Sequence, residues 1–169
     1  MRLFVGLRPS DSFRAALHAL QRRLMDAGVT GRFLDPGNLH MTLAFIGEWP
    51  EDITALLPEI KKPFELTLSG IGIFPGADVL WAGVEKSEAL DNTAKLVRHI
   101  LADGSIPFDR KAFRAHITLA RKPSVPRGLP LTDIAVPRAV MTVREVCLYR
   151  SDRGKNGMNY TVIGSSAQE

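Results

Sequence analysis

The chain has 169 residues and a mass of 18.6 kDa, the size of one domain or of two small lobes packed as one unit. Hydrophobic residues make up 45% and charged residues 24%, which excludes a mainly disordered or low-complexity chain. No apolar run approaches the ~20 residues that cross a bilayer, and Met1–Pro9 is not expected to be a secretion signal. The single Cys147 fits a reducing compartment, so we expect a cytoplasmic protein.

The net charge of +4 is unevenly distributed along the chain. Residues 109–155 contain 11 basic and four acidic residues, a charge of +7, and the rest of the chain carries −3. A basic C-terminal half favours an anionic partner such as a phosphate or a nucleic acid. A solvated basic face explains the same charge equally well.

The predicted elements combine short strands with two long helices, in which apolar residues recur every three or four positions. Gly28 and Gly104 are placed to end these helices. In chain order the expected elements are a strand at 2–7, a helix at 11–27, an irregular stretch at 30–39 with a turn at 35–38, a strand at 40–47, a short helix at about 51–61, strands near 64–69 and 79–84, a helix at 87–103, a strand at 115–120, a loop at 122–130, and strands at 132–136, 140–149 and 159–164 with a hairpin turn at 152–157.

One short sequence occurs twice. Residues 38–45 (NLHMTLAF) reappear as residues 114–121 (RAHITLAR), and the two copies share His-x-Thr-Leu-Ala at a separation of 76 residues. Each copy has a long predicted helix upstream and strands around it. The recurrence predicts a duplicated α+β fold: a single domain, 1–169, of two pseudo-symmetric lobes with approximate halves 1–75 and 76–169.

The spacing within each copy places a histidine and a threonine side by side. Alternate side chains of a strand point to opposite faces, so His40 shares a face with Thr42, and His116 shares a face with Thr118. If the lobes pack around a pseudo-two-fold axis, these faces meet across a cleft. Two imidazoles would then approach one substrate from opposite sides.

Two facing histidines suit acid–base catalysis, because an ordinary histidine pKa of about 6.5 permits both protonation states near neutral pH. One ring can take a proton from the nucleophile while the other gives one to the leaving group. In-line displacement at phosphorus needs these groups on opposite sides of the phosphorus atom. Thr42 and Thr118 can donate hydrogen bonds to non-bridging oxygens, and Arg121 can neutralise phosphate charge.

The position of Arg121 along its strand does not by itself direct its side chain toward the cleft. It follows His116 by five residues, so a regular strand would direct it away from the cleft. It reaches a phosphate only if it lies past a bulge or at the end of the strand. Phe45 occupies the matching position of the first copy and suits either the core or stacking on a nucleobase, and Trp49 is a further stacking candidate.

These residues resemble a known family, and the match spans nearly the whole chain. The two His-x-Thr-Leu tetrads resemble the 2H phosphoesterase superfamily. More closely, the chain is similar to bacterial and archaeal RNA 2′,3′-cyclic phosphodiesterases of the LigT/ThpR type, once called 2′-5′ RNA ligases. One departure is Arg114-Ala115, where many relatives have a proline next to the histidine. The matching segments are 2–5, 38–47, 72–75, 79–84 and 116–121.

The resemblance implies a bilobal fold of two antiparallel sheets flanked by helices, with a central cleft. It implies metal-independent hydrolysis of a 2′,3′-cyclic phosphate, on an RNA end or a cyclic nucleotide, to a 2′-phosphate, with reversible 2′-5′ ligation as a side activity. By the same resemblance His40 is the general acid that protonates O3′, and His116 is the general base or phosphate orienter on the water side. No cofactor or membrane is implied, and we expect a monomer.

Other site classes find no support in the sequence. No metal-ligand spacing, Gly-x-Ser-x-Gly motif or phosphate loop occurs, and residues 70–75 fail the dinucleotide-binding pattern. His18 and His99 lie in the predicted helices without partners, so a structural or surface role is expected for both. Two alternatives stay open: a module that binds RNA ends without turnover, and an enzyme for another substrate, such as an ADP-ribose cyclic phosphate or a small cyclic nucleotide.

Overall fold

The two helices begin where serine side chains cap them. The Ser10 hydroxyl accepts a hydrogen bond from the Phe13 backbone N–H at 3.3 Å, and the Ser87 hydroxyl accepts one from Leu90 at 3.1 Å. In this computed structural model, which describes residues 1–167, the helices are α1 (Asp11–Asp26) and α2 (Glu88–Asp103). The strands are β1 (Arg2–Leu7), β2 (Thr30–Phe33), β3 (Met41–Glu48), β4 (Phe64–Phe74), β5 (Val79–Val84), β6 (Ile117–Ser124), β7 (Val140–Val143), β8 (Cys147–Gly154) and β9 (Gly157–Ser165).

The strands form two antiparallel sheets. One has four strands in the order β3-β1-β8-β9, and the other has five in the order β2-β6-β5-β4-β7. The expected α+β fold with two antiparallel sheets is therefore confirmed. Each sheet takes strands from both sides of residue 75, so the sheets do not follow the chain halves 1–75 and 76–169.

The helices bury one apolar face each against the sheets. Leu17 and Leu20 of α1 and Leu90 and Val97 of α2 belong to one continuous core that also contains apolar residues of both sheets. A second, smaller cluster of Phe4, Cys147 and Tyr149 lies on the four-stranded sheet, with Phe45 and Tyr160 packed around it. Phe4, Tyr149 and Tyr160 of this aromatic cluster surround His40, the histidine of the first motif.

Most predicted elements are confirmed, and the exceptions have local causes. The predicted helix at 51–61 is wrong: only Thr54–Leu56 forms a 3₁₀ turn, because Pro58 disfavours helical conformation in the preceding residue. The predicted strand at 132–136 is also wrong, since Leu131–Asp133 is a 3₁₀ turn. The predicted strand at 140–149 is two strands, because the chain leaves the five-stranded sheet after Val143 and enters the other sheet at Cys147.

One strand has no counterpart in the sequence prediction. β2, within the stretch expected to be irregular, pairs with β6 over Arg32–Arg121 and Phe33–Ala120. Its residues are mostly exposed, so no alternation of apolar and polar side chains marks it. β6 itself continues through Ser124, into the segment expected to be a loop. β2 thereby extends the five-stranded sheet beyond the second motif.

Candidate active site

The two motifs bring both histidines, Thr42, Phe45 and Arg121 to one cleft between the sheets. β3 is the edge strand of the four-stranded sheet, and β6 lies between β2 and β5 in the other sheet. A cavity of about 290 Å³ is lined by His40, Thr42 and Arg121, and an adjoining cavity of about 570 Å³ is lined by His116. Thr42 and Phe45 line both, so the two motifs open into one continuous space.

Both imidazoles are held in the same way. His40 Nδ1 lies 2.7 Å from the Asn38 carbonyl oxygen, and His116 Nδ1 lies 2.7 Å from the Arg114 carbonyl oxygen. A carbonyl oxygen only accepts, so Nδ1 carries the proton in both rings. In the neutral ring Nε2 then has a free lone pair, and in the charged ring it has a proton to give. Each histidine is thus set up to exchange a proton at Nε2.

A β-bulge at the same place in each motif strand explains why the Arg121 side chain faces the cleft. In the β1–β3 pairing Leu43 is an extra residue between Thr42 and Ala44, and in the β5–β6 pairing Leu119 is an extra residue between Thr118 and Ala120. The bulge reverses the alternation of side chains beyond it. The leucine and the alanine in each copy are all buried, and the next residue, Phe45 or Arg121, lines the cleft.

His40 sits among aromatic rings. Its ring centroid lies 4.7 Å from Phe4, 4.9 Å from Tyr160 and 5.5 Å from Tyr149. Its pKa is lowered to about 4, chiefly by burial; the bond to Asn38 acts in the opposite direction, and the charges of Arg121 and His116 add to the lowering. In the free protein His40 is therefore neutral at pH 7. The hydroxyl of Thr42, with Oγ1 3.1 Å from Nε2, then donates to the ring.

His116 has a more open environment. Phe74 meets its ring edge-on, with the two ring centroids 5.1 Å apart. Phe74 also contacts Trp81, and the centroids of these two rings lie 5.2 Å apart. Within residues 1–167 no side chain hydrogen-bonds to His116 Nε2. Trp81 lies flat over Gly72, where a Cβ would overlap the indole. The second histidine is thus positioned by a short series of aromatic contacts along the five-stranded sheet.

The remaining predicted residues differ in their relation to the cleft. Thr118 is half-buried on β6 across from Trp81 and is not part of either cavity wall. Phe45 lines both cavities, and the guanidinium of Arg2 lies 5.1 Å from its ring centroid. Trp49 follows the end of β3 and packs against the core rather than lining the cleft.

Several site residues were missed by the sequence reasoning. Asn38 holds His40 through its carbonyl and also joins the two walls of the cleft: its side-chain amide donates to the Met158 carbonyl at 2.9 Å and accepts from the Tyr160 N–H at 3.2 Å. Asn38 stands in the repeated segment, which could have drawn attention to it. Tyr160 and Phe74 have no such signal, because only the pairing of distant strands brings them to the histidines.

In the part of the chain that it describes, the structure offers neither a metal site nor a reactive cysteine. Within residues 1–167 no group of three or more His, Cys, Asp or Glu side chains could hold a metal ion. Burial raises the pKa of Cys147 to about 12, so its thiol is not available as a nucleophile near neutral pH. None of the helices among these residues has the length and apolar character needed to span a membrane.

The architecture defines a class of protein: two antiparallel sheets that carry matched His-x-Thr strands on either side of a cleft, as in the 2H phosphoesterases. The sequence model of the 2′-5′ RNA ligase superfamily matches residues 9–155. The protein belongs to this superfamily, which confirms the resemblance inferred from the motifs.

Individual relatives agree with this assignment. The chain is 35% identical, over 179 aligned positions, to the RNA 2′,3′-cyclic phosphodiesterase of Aquifex aeolicus, covering 96% of this chain and 95% of that protein. A crystal structure from Thermus thermophilus is similar with a TM-score of 0.79 and 31% identity, over 98% of this chain and 96% of that one. Apo LigT from Escherichia coli is similar with a TM-score of 0.79 and 27% identity, over 97% and 95%.

Proposed function

We propose that the protein hydrolyses 2′,3′-cyclic phosphates at RNA ends to 2′-phosphates, with His40 and His116 as the proton-transfer groups and without a metal ion. Its relatives carry the name RNA 2′,3′-cyclic phosphodiesterase, and E. coli LigT has been crystallised with 3′-AMP. A phosphoric diester hydrolase is the activity that these relatives imply. The observation that carries the two-histidine proposal is the matched pair of Nδ1–carbonyl bonds, which prepare both Nε2 atoms for proton exchange.

The proposed step is a single in-line displacement. Water attacks phosphorus from the side opposite O3′, and His116 Nε2 takes its proton. The P–O3′ bond breaks as His40 Nε2 gives its proton to O3′, which leaves a 3′-hydroxyl and a 2′-phosphate. The rings end with exchanged protonation states, and a proton returned through solvent resets them.

The acid role requires His40 to be protonated when the substrate is bound. In the free protein, burial and two positive neighbours hold its pKa near 4. A phosphate monoanion beside Arg121 supplies the missing negative charge and raises that pKa, because an adjacent opposite charge favours the charged ring. A protonated Nε2 no longer accepts from Thr42. The hydroxyl of Thr42 is then free to donate to a phosphate oxygen.

The other residues bind and orient the substrate in this proposal. Arg121 faces the reacting phosphate from beyond the Leu119 bulge. Thr118 lines neither cavity, so in this proposal it supports the strand beside His116 rather than touching the phosphate. Phe45, between the two cavities, stacks on the terminal nucleobase. Trp49 has no part in it, since it packs against the core.

The same groups can also support ligation when another nucleophile replaces water. If a 5′-hydroxyl of RNA replaces water on the His116 side, displacement of O3′ forms a 2′-5′ phosphodiester. By microscopic reversibility the two histidines then exchange roles in cleavage of that bond. We propose this ligation as a side activity of the cleft.

Product analysis in EDTA tests the reaction. An RNA ending in a 2′,3′-cyclic phosphate should give a 2′-phosphate at an unchanged rate when EDTA is added. A 3′-phosphate product, or loss of turnover in EDTA, would contradict the mechanism. Tight binding without turnover would instead support an RNA-binding module. Faster turnover of an ADP-ribose cyclic phosphate or of a free cyclic nucleotide than of an RNA end would support the other enzyme class.

A sulfur substitution tests which histidine is the acid. His40→Ala and His116→Ala should each lower turnover of the normal substrate by roughly 10²–10⁴-fold, the usual effect of removing a positioned proton-transfer group. When sulfur replaces O3′, the leaving thiolate needs no proton. His40→Ala should then recover most of its activity, and His116→Ala should not. Recovery by His116→Ala alone would reverse the two assignments.

A further inference from the structure

A third cavity continues the cleft beyond Arg121. It has a volume of about 650 Å³ and shares Arg121, Met158 and Tyr160 with the cavity that contains His40. Its walls come from β2 and the turn after it on one side and from the β8–β9 hairpin on the other. We call this cavity the arginine groove because Arg32, Arg121 and Arg153 all line it.

The two sheets place these guanidinium groups around one space. The register of β2 with β6 sets Arg32 directly opposite Arg121, and Arg153 reaches the groove from the hairpin of the other sheet. Within residues 1–167 none of the three forms an ion pair with a carboxylate. Like charges directly opposite on paired strands repel each other. An anion held between them removes that repulsion.

The groove is also rich in neutral hydrogen-bonding groups. Asn38, Asn156 and Asn159 line it, and its one carboxylate, Asp35, already accepts a hydrogen bond from the Gly37 N–H at 2.8 Å. The cavity on the His116 side has a different lining: three phenylalanines (Phe45, Phe74 and Phe113) stand beside Arg98, Lys111 and Arg114. Arg98 already donates to the Leu43 and Lys111 carbonyls. One end of the cleft therefore suits an aromatic base, and the other suits the phosphate and ribose groups of a nucleic acid backbone.

A free cyclic nucleotide does not account for the arginine groove. It carries one phosphate, and that phosphate is consumed at the histidines, where Arg121 faces it. Arg32 and Arg153 lie farther along the cleft and would have no anion to bind. Only a substrate with a further phosphate uses them.

We infer that the arginine groove binds the phosphodiester on the 5′ side of the reacting nucleotide, so that an RNA chain, rather than a free cyclic nucleotide, is the substrate. This inference rests on the proposed function. Arg32 and Arg153 bind the added phosphate from opposite walls, and Arg121 stands between this phosphate and the reacting one. Asn38 fixes the distance between the walls through its bonds to Met158 and Tyr160.

The experiment compares two substrates that share the reacting nucleotide: a nucleoside 2′,3′-cyclic phosphate and a trinucleotide with the same cyclic end. Arg32→Gln and Arg153→Gln should each lower kcat/KM for the trinucleotide about tenfold, the usual effect of losing a charge-assisted hydrogen bond. For the mononucleotide kcat/KM should stay within about twofold of the unaltered protein. Arg22→Gln on the exposed side of α1 is the matched control and should change neither value.

The salt dependence gives a second readout. For the trinucleotide the slope of log(kcat/KM) against log[salt] should become less steep by about 0.7 in each groove variant, as expected for one lost phosphate contact on a single strand. Equal losses on both substrates would overturn the inference, and so would no loss on the trinucleotide. If the unaltered protein turns over neither substrate, the proposed function fails instead. Thermal unfolding of each variant shows whether a loss comes from unfolding.

Discussion

The same residue type in the same motif has two different environments in this protein. His40 is enclosed by Phe4, Tyr149 and Tyr160, whereas His116 contacts Phe74 and faces open space. Enclosure removes water from His40 and lowers its pKa to about 4. Its charge state therefore depends on whether an anion is present. In the mechanism that we propose, His40 therefore acts as an acid only when a phosphate lies beside it.

The low pKa of His40 also predicts how stability depends on pH. The folded pKa of about 4 lies below the ordinary 6.5, so the unfolded chain binds the proton more readily. The stability that His40 contributes is present above pH 6.5 and is lost as the pH falls toward 4. As the pH falls from 7 to 4.5, protonation of His40 in the unfolded chain should lower the unfolding free energy by about 2–3 kcal/mol.

Urea unfolding at the two pH values measures this effect. The unfolding free energy of the unaltered protein should fall more between pH 7 and 4.5 than that of His40→Gln, and the difference should be about 2–3 kcal/mol. His99→Gln, at an exposed position of α2, should keep the unaltered difference. If His40→Gln and the unaltered protein lose the same amount, the enclosed ring does not control acid stability.

Each bulge in the motif strands is held by a helix from the other part of the repeat. Arg98 of α2 donates from Nε to the Leu43 carbonyl at 3.1 Å, and Gln21 of α1 donates from its amide to the Leu119 carbonyl at 3.0 Å. The acceptors are the two bulged leucines. α1 precedes the first motif and contacts the bulge of the second. α2 precedes the second motif and contacts the bulge of the first. These contacts fix the strand distortion that directs Phe45 and Arg121 into the cleft.

Removing the buried amide should therefore affect both stability and activity. Gln21 is 1% exposed, and it also donates to the Leu34 carbonyl at 3.0 Å. Gln21→Leu should lower the unfolding free energy by about 1–3 kcal/mol, because two buried carbonyls lose a donor. It should also lower turnover, because the segment that carries Arg121 is less well fixed. Urea unfolding and a turnover assay measure the two effects.

His18→Ala is the matched control for Gln21. It removes the His18 ring with its hydrogen-bond contact between Nδ1 and Gln21 Oε1, 3.3 Å apart, and leaves both carbonyl bonds in place. Its effects on stability and turnover should be smaller than those of Gln21→Leu. An equal or larger effect would show that the amide–carbonyl bonds do not hold the bulge.

At the scale of the whole molecule, the chain crosses repeatedly between the two sheets. β1 lies between β3, from the beginning of the chain, and β8, from its end. The five-stranded sheet likewise joins β2 and β4 to β5, β6 and β7. Both walls of the cleft therefore depend on contacts between distant parts of the sequence. The cleft exists only when both halves are folded together.

A fragment test follows from this topology. Residues 1–75 contain β1 without β8 and β2 without β6, so the apolar face of α1 loses much of the core that covers it. The isolated fragment should show no cooperative thermal unfolding by circular dichroism, whereas the whole chain should show one transition. Cooperative unfolding of the fragment would show that 1–75 is an independent lobe.

The sequence by itself determined most of the local elements and predicted the chemistry of the site. Apolar residues at every third or fourth position predicted α1 and α2, because this spacing depends on a few neighbouring residues. The doubled His-x-Thr-Leu-Ala motif predicted His40, Thr42, His116 and Thr118 as site residues, since alternation along a strand is a local property. Of these four, His40, Thr42 and His116 line the cleft.

Only the tertiary structure decided which distant residues meet these side chains. The bulge that turns Arg121 toward the cleft depends on pairing of β6 with β5, and the enclosure of His40 depends on β1, β8 and β9. The arginine groove depends on β2, a strand with no local pattern of its own. These features arise from contacts between residues far apart in the chain, and such contacts form only when the two sheets fold around one core.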